Sequence, residues 1–395
     1  MLIRRPFAAA AIAALTLTGV GATAGTAAAA PPAGSPLGSY IVTLAQGNVP
    51  SQVAALASAR LGGQVGYVYT EALDGFSVTV PAALADRLRT LPGVVHVEQD
   101  KPIHASSPTV QQGATWGLDR IDQVGLPLSG TYSYTAAGTG VTAYIIDTGI
   151  QFANTDFGGR AKSGYDAVNL GTPADDCNGH GTHVAGTVGG SKYGVAKAVK
   201  LVAVRVLDCN GSGTISGVIA GVNWVTANHT AGAPAVANMS LGGGVSDALD
   251  AAITASIDDG VTYAVAAGNG NSLGVPQDAC TSSPARVPGA LTVGATDKSD
   301  QPASFSNYGT CVDLFAPGVG ITSDWYSRRS NTATNTISGT SMATPHVAGV
   351  AALYLQGNPA ASPDTVGAAV KAATTKDAFP STTTPDNNDL LFTDY

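Results

Sequence analysis

Five short apolar runs constrain the longer part of this chain more than any other feature: Val141 to Ile146, Leu201 to Leu207, Ala235 to Leu241, Val261 to Ala267 and Leu291 to Ala295. Each is too short for a buried helix and suits a strand covered on both faces. Helical patterns occupy Gly181 to Gly189, Ser212 to Ala227, Asp247 to Asp258 and Thr340 to Leu355. Strands that alternate with helices in this way predict an α/β fold, a doubly wound, mostly parallel sheet with helices on both faces. Such a fold gathers its functional residues at the carboxyl ends of the strands.

Composition removes several other classes. Only 12% of the 395 residues are charged, while 44% are hydrophobic and 49 are Gly, which describes a compact, turn-rich protein rather than a disordered one. The net charge of −8, without basic runs, leaves no footprint for nucleic acid or an anionic membrane.

The N-terminal third carries two smaller parts. Arg4 and Arg5 precede an apolar stretch from Phe7 to Val20, and small residues follow at Ala27 to Ala30, so residues 1–30 read as a secretory signal peptide. The apolar stretch is shorter than the about 20 residues a membrane span needs. Export is expected, by the general or the twin-arginine route. From Ser39 to about Asp100 the pattern is a strand at Tyr40 to Leu44, a helix from Pro50 closed by Gly62-Gly63, and strands at Gln64 to Glu71 and Gly75 to Val80. A helix opened by Pro81, with Leu84, Leu88 and Leu91 on one face, and a strand at Val94 to Glu98 complete a βαββαβ order. This order predicts an α+β, ferredoxin-like unit and by itself no function.

Chemistry enters at the ends of the longer region's strands. Asp147 closes the run Ala143-Tyr144-Ile145-Ile146, His180 lies in Asn178-Gly179-His180-Gly181-Thr182-His183, and Ser341 lies in Ser338-Gly339-Thr340-Ser341-Met342-Ala343-Thr344-Pro345-His346. A serine nucleophile needs a base to take its proton, and the base needs a carboxylate to hold its tautomer and stabilise the imidazolium. The sequence supplies all three types, in the order Asp, His, Ser. A lipase or esterase elbow would read G-x-S-x-G, which the surroundings of Ser341 do not. Singly, each residue has a plainer account as a turn, a core histidine or a helix cap. His183 and His346 keep that account, because each sits on a helical pattern beside a catalytic position.

These motifs, with Ala266-Ala267-Gly268-Asn269 and Ser240-Leu241-Gly242-Gly243 between them, resemble the subtilisin-like serine proteases, most closely the proteinase K branch and its aqualysin-type enzymes. The resemblance runs from Trp116 to about Pro363. It implies Ser341 as nucleophile, His180 as general base, Asp147 as orienting carboxylate and the Asn269 amide as an oxyanion donor. It also implies that Gly211, Ser212 and Gly213 on one side, and Ser240, Leu241 and Gly242 on the other, pair with an extended polypeptide substrate. Ala266, Ala267 and Gly268 would then complete an apolar pocket for aromatic or aliphatic residues. Residues 31–108 would be a propeptide that inhibits the enzyme and assists its folding, and 109–395 the peptidase domain, a monomer secreted to the extracellular medium. A catalytically inactive binding protein on the same fold is the alternative.

The four cysteines, Cys177, Cys209, Cys280 and Cys311, lie in an exported chain, which favours disulfides over free thiols, and three pairings are open. The resemblance implies Cys177 with Cys209 and Cys280 with Cys311. From Thr109 onward all 22 acidic residues are Asp. The lack of Glu there argues against the sedolisin relatives, which need a catalytic Glu. No catalytic cofactor is expected. Structural Ca2+ is, with Asp313, Pro288 and Ala290 resembling one family site and Asp119, Asp122 and Gln123 another.

Overall fold

The computed structural model describes residues 36–100, 108–379 and 388–395; the expected signal peptide, 1–30, lies outside the described residues. The chain divides between Ala105 and Ser106 into two compact units.

The first unit has the expected order: β1 (Leu37–Leu44), α1 (Pro50–Leu61), β2 (Gln64–Tyr69), β3 (Gly75–Pro81), α2 (Ala85–Leu88) and β4 (Val94–Gln99). The strands form an antiparallel sheet in the order β2-β3-β1-β4. Val42, Phe76, Val78 and Val97 on its inner face pack against Val53, Ala57 and Leu61 of α1. Pro50 stands in the first turn of α1, where its missing N–H costs nothing, and Gly62 caps the other end at φ +66°. The second helix is shorter than its leucine spacing predicts. A 3-10 turn takes Ala82–Leu84, and Pro92 follows Leu91, so the leucines reach the core through turns.

The second unit opens with β5 (Thr109–Gln112), α3 (Trp116–Ile121) and β6 (Thr131–Tyr134). Then come β7 (Thr142–Asp147), β8 (Ala161–Asp166), α4 (His180–Gly189), β9 (Lys200–Arg205), α5 (Ile215–Asn228) and β10 (Ala235–Met239). The chain continues through β11 (Gly243–Gly244), α6 (Asp247–Asp258), β12 (Val261–Ala266), β13 (Ser282–Ser283), β14 (Leu291–Thr296) and β15 (Leu314–Pro317). It ends with the hairpin β16 (Ile321–Asp324) and β17 (Thr334–Ile337), α7 (Thr340–Gly357) and α8 (Pro363–Ala373).

Seven strands form a parallel sheet in the order β15-β14-β12-β10-β7-β9-β8. Alternation along β7 shows how both faces are covered. Ala143 and Ile145 join the core under α4, α7 and α8, while Tyr144 and Ile146 join the core under α5 and α6. From β7 the chain builds one side through β8 and β9, then crosses to β10 and builds the other. The order therefore reverses between β7 and β10, where an α/β sheet opens a crevice at its carboxyl edge. The five apolar runs became β7, β9, β10, β12 and β14, with ends differing by a residue or two. The edge strands β8 and β15, the hairpin and α8 were not foreseen: β8 is half polar, and β15 has only four residues.

Candidate active site

Asp147, the last residue of β7, is fully buried and places Oδ1 2.7 Å from Nδ1 of His180, the first residue of α4. Glycine makes this approach possible. Gly149 holds φ +107°, and a Cβ at Gly181 would stand 2.2 Å from the Gly149 carbonyl oxygen, so the first turn of α4 packs directly on the loop after β7. Asp176, which sequence reasoning did not single out, secures the same junction. Its Oδ1 accepts the Thr148 hydroxyl at 2.9 Å and the N–H groups of Asn178 and Gly179, and its Oδ2 accepts from Thr182 N–H and Oγ–H. Nothing in its local pattern separates it from Asp175 beside it. Burial alone would lower the pKa of His180, but the charge and hydrogen bond of Asp147, with a smaller contribution from Asp176, outweigh it and leave the imidazole above its ordinary value.

Ser341 is the second residue of α7, at the positive end of that helix. Its hydroxyl donates to the Ser240 carbonyl at 3.1 Å, and the Ser240 hydroxyl donates to the Ser341 carbonyl at 2.8 Å, tying α7 to the end of β10. Asn238 Nδ2 donates to Ser240 Oγ at 3.0 Å. Asn269 follows β12, and its Oδ1 accepts from Thr340 N–H at 2.8 Å and Thr340 Oγ–H at 3.0 Å. With Oδ1 engaged, Nδ2 is the end of the amide left to serve a substrate oxygen. Thr340 is thus a second contributor not singled out from sequence, although it sits inside the serine motif.

Two cavities flank these residues. One, of about 580 Å³, runs past His180 between the Asn210–Gly213 segment and Ser240 to Gly243. The other, of about 300 Å³, brings Ser341 and Asn269 together with Ala266 and Gly268. Both share Leu241 and Gly242, and neither is lined by Asp or Glu. Ala267 corrects the expectation. Its side chain is fully buried against Ala279, Ala285 and Phe315, because side chains alternate along the extended segment that points Ala266 to the cavity. Cys177 pairs with Cys209, and Cys280 with Cys311. The first bridge fastens the Asn210–Gly213 wall to the loop that enters α4, reinforced by Asn178 Nδ2 on the Cys209 carbonyl at 3.0 Å. His183 and His346 are buried core residues. His183 Nε2 contacts the Ile321 carbonyl, His346 Nδ1 the Met342 carbonyl, and burial lowers both to about 4, which keeps them neutral.

The residues proposed for calcium are engaged by the protein itself. Asp313 shares a cavity of about 340 Å³ with Pro288 and Ala290. Its Oδ2 accepts Thr292 N–H at 2.9 Å and its Oδ1 faces Lys371 Nζ at 3.0 Å. Asp119 accepts from Ser129 and Gly130, and Gln123 accepts Ser129 N–H while its amide donates to the Gly125 and Pro127 carbonyls. Asp122 accepts Ser133 N–H at 2.6 Å on Oδ2, and its Oδ1 is buried without a partner. Among the described residues no group of three or more His, Cys, Asp or Glu is placed to hold a metal, nor is any helix long and apolar enough to cross a membrane.

Comparison with known proteins agrees with this geometry. The Subtilase family model matches residues 138–390, and the Peptidase inhibitor I9 model matches residues 39–106. An extracellular serine proteinase from Thermus sp. (strain Rt41A) is 57% identical over 85% of this chain and 79% of its own length. The alkaline serine exoprotease A of Vibrio alginolyticus is 55% identical over 78% of this chain, which spans 56% of that protein. The crystal structure of a cold adapted subtilisin-like serine proteinase superposes with a TM-score of 0.67, at 55% identity, over 71% of this chain and 98% of its own. The chain therefore belongs to the subtilase family, as a serine protease of the proteinase K type that carries an I9 inhibitory propeptide ahead of its catalytic unit.

Proposed function

We propose that the chain is exported and acts as an endopeptidase of broad specificity through an acyl-enzyme. Ser341 attacks the scissile carbonyl, His180 takes the proton and later returns it to the leaving amine, and Asp147 holds the imidazole. The Asn269 amide and the Ser341 N–H stabilise the oxyanion. The observation that carries this reading is the 2.7 Å contact between a buried Asp147 and His180, at the sheet's reversal point, on a cleft that also holds Ser240. The Ser341 hydroxyl donates to the Ser240 carbonyl in this structure and must turn to His180 when substrate enters; such bonds commonly tighten only in the complex. Labelling by a serine-directed fluorophosphonate tests the reading. A folded chain that resists the reagent contradicts it and favours an inactive binding protein.

The walls support a substrate preference. Small and apolar residues at Leu241, Gly242, Ala266 and Gly268, without a carboxylate, suit aromatic and aliphatic P1 side chains and offer nothing to Lys or Arg. A peptide library should be cut mainly after such residues; cleavage confined to basic positions contradicts this assignment.

We also propose a structural calcium at Asp313 with the Pro288 and Ala290 carbonyls, an ion that must displace Lys371 from Oδ1. Its binding is then a competition between two cations for one carboxylate. Lys371→Ala should bind calcium at this site more tightly than the parent in titration calorimetry. Unchanged affinity removes Lys371 from the site.

A further inference from the structure

A different carboxylate pair has the features of an unfilled cation site. Asp324, the last residue of β16, is 1% exposed, and its Oδ2 has no hydrogen-bond partner. A buried anion without donor or counter-ion is costly, so its surroundings are informative. They are mostly oxygen. The ideal Cβ position of Gly190, the cap residue of α4, lies 2.2 Å from Asp156 Oδ2, 2.8 Å from the Gly186 carbonyl oxygen and 3.2 Å from Asp324 Oδ2. The corresponding position at Gly186 lies 2.4 Å from Ser323 Oγ and 2.7 Å from Asp324 Oδ2, and Ser323 Oγ is also buried without a partner. Two glycines thus let two carboxylates and a hydroxyl pack closely against the last turn of α4, beside the Gly186 carbonyl that accepts Gly190 N–H at 2.8 Å, where the helix dipole favours positive charge.

Donors nearby neutralise the pair only in part, since Asn154 and the charge of Lys192 favour the Asp324 carboxylate but are outweighed. Lys192 N–H binds Asp156 Oδ1 at 2.8 Å, and Tyr193 N–H reaches Asp156 Oδ2 only at 3.4 Å. Asn154 spends its Oδ1 on Asp156 N–H, and its Nδ2 is buried without a partner. The Lys192 ammonium lies at the surface. Burial, then the charge of Asp156 and a hydrogen bond to it, raise Asp324 to about 8, as expected of two carboxyl groups held in contact.

We propose that Asp156 and Asp324 hold a divalent cation between the end of α4 and the β16–β17 hairpin, and that the all-oxygen donor set selects calcium. Two carboxylate charges balance the ion, with Ser323 Oγ and the Gly186 carbonyl as neutral ligands. The ion would join three segments, the loop at Asp156, the last turn of α4 and the hairpin, at the far end of the helix that His180 opens. Trp325, the residue after Asp324, packs its indole where a side chain at Gly179 would lie and stacks edge-on against His183 at 6.1 Å. Ligation therefore steadies the hairpin against the turn that presents His180.

The test uses mature enzyme blocked with a fluorophosphonate, so that autolysis does not distort melting. Calcium is titrated into Asp313→Ala, which removes the site proposed with Pro288 and Ala290. A calcium-binding event should remain in calorimetry, with Tm rising by about 5 °C at a hundredfold excess over Kd. Adding Asp324→Asn should abolish both responses, while Tm in chelator stays equal to that of Asp313→Ala or exceeds it because the repulsion is gone. Asp156→Asn is the second variant, should Asp324→Asn fail to fold. The proposal is overturned by unchanged calcium affinity in these carboxamide variants. It is equally overturned by a calcium-insensitive Asp313→Ala, which would show that the pair shares a proton instead.

Discussion

Replacing Ser341 by Ala should reduce peptide hydrolysis by at least about 10⁴-fold, measured on chains whose propeptide has been removed by an added protease. His180→Ala should do the same, since the two act as a unit and the loss of either ends nucleophilic catalysis. Asn269→Ala should cost less, about 10²- to 10³-fold, because one oxyanion donor disappears while the Ser341 N–H remains. The pH dependence separates the roles. The base must be neutral to accept the serine proton, so kcat/KM should fall as pH drops through the pKa of His180. Asp147 holds that pKa above 6.5, and the acid limb should lie above this value too. Asp147→Asn removes the charge that raises it and should move the limb to lower pH while lowering kcat. A folded Ser341→Ala enzyme that keeps full activity ends the assignment.

How much of this could be read from the chain depended on whether the information was local. The strands of the sheet centre are covered on both faces, so each had to be a short, continuous apolar run and was visible as one. Edge strands carry no such constraint; β8 alternates in part with polar residues and passed as loop. The residues proposed for catalysis stand in local motifs because their neighbours are glycines needed for close approach, as Gly149 and Gly181 show. Asp176 and Thr340 are different. Their importance lies in which groups they bond across tens of residues, and an Asp before a turn or a Thr before a helix looks ordinary in sequence. The same reason hid the pair Asp156 and Asp324, 168 positions apart, which only the folded hairpin brings to the end of α4. Ala267 erred in the opposite direction, because a motif marks a segment but not which of its side chains turns inward.

Maturation provides an all-or-none expectation. An I9 inhibitor unit stands immediately before a subtilase unit in one chain, and the segment between them, residues 101–107, lies outside the described residues. We infer that this junction is cut by the enzyme it precedes. Thr109 opens β5, whose register with β6 pairs it to Tyr134, so a cut near Pro108 or Thr109 leaves the first strand of the catalytic unit whole. A cut several residues further on would remove that strand and expose the edge of β6. Made in a host without other secreted proteases, Ser341→Ala should accumulate as a single precursor that includes the inhibitor unit, where the parent yields the shorter enzyme. Added inhibitor unit should block the mature parent, as its match to the Peptidase inhibitor I9 family leads one to expect. N-terminal sequencing of the parent locates the cut. A Ser341→Ala precursor processed at the same junction in that host shows that another enzyme performs the activation.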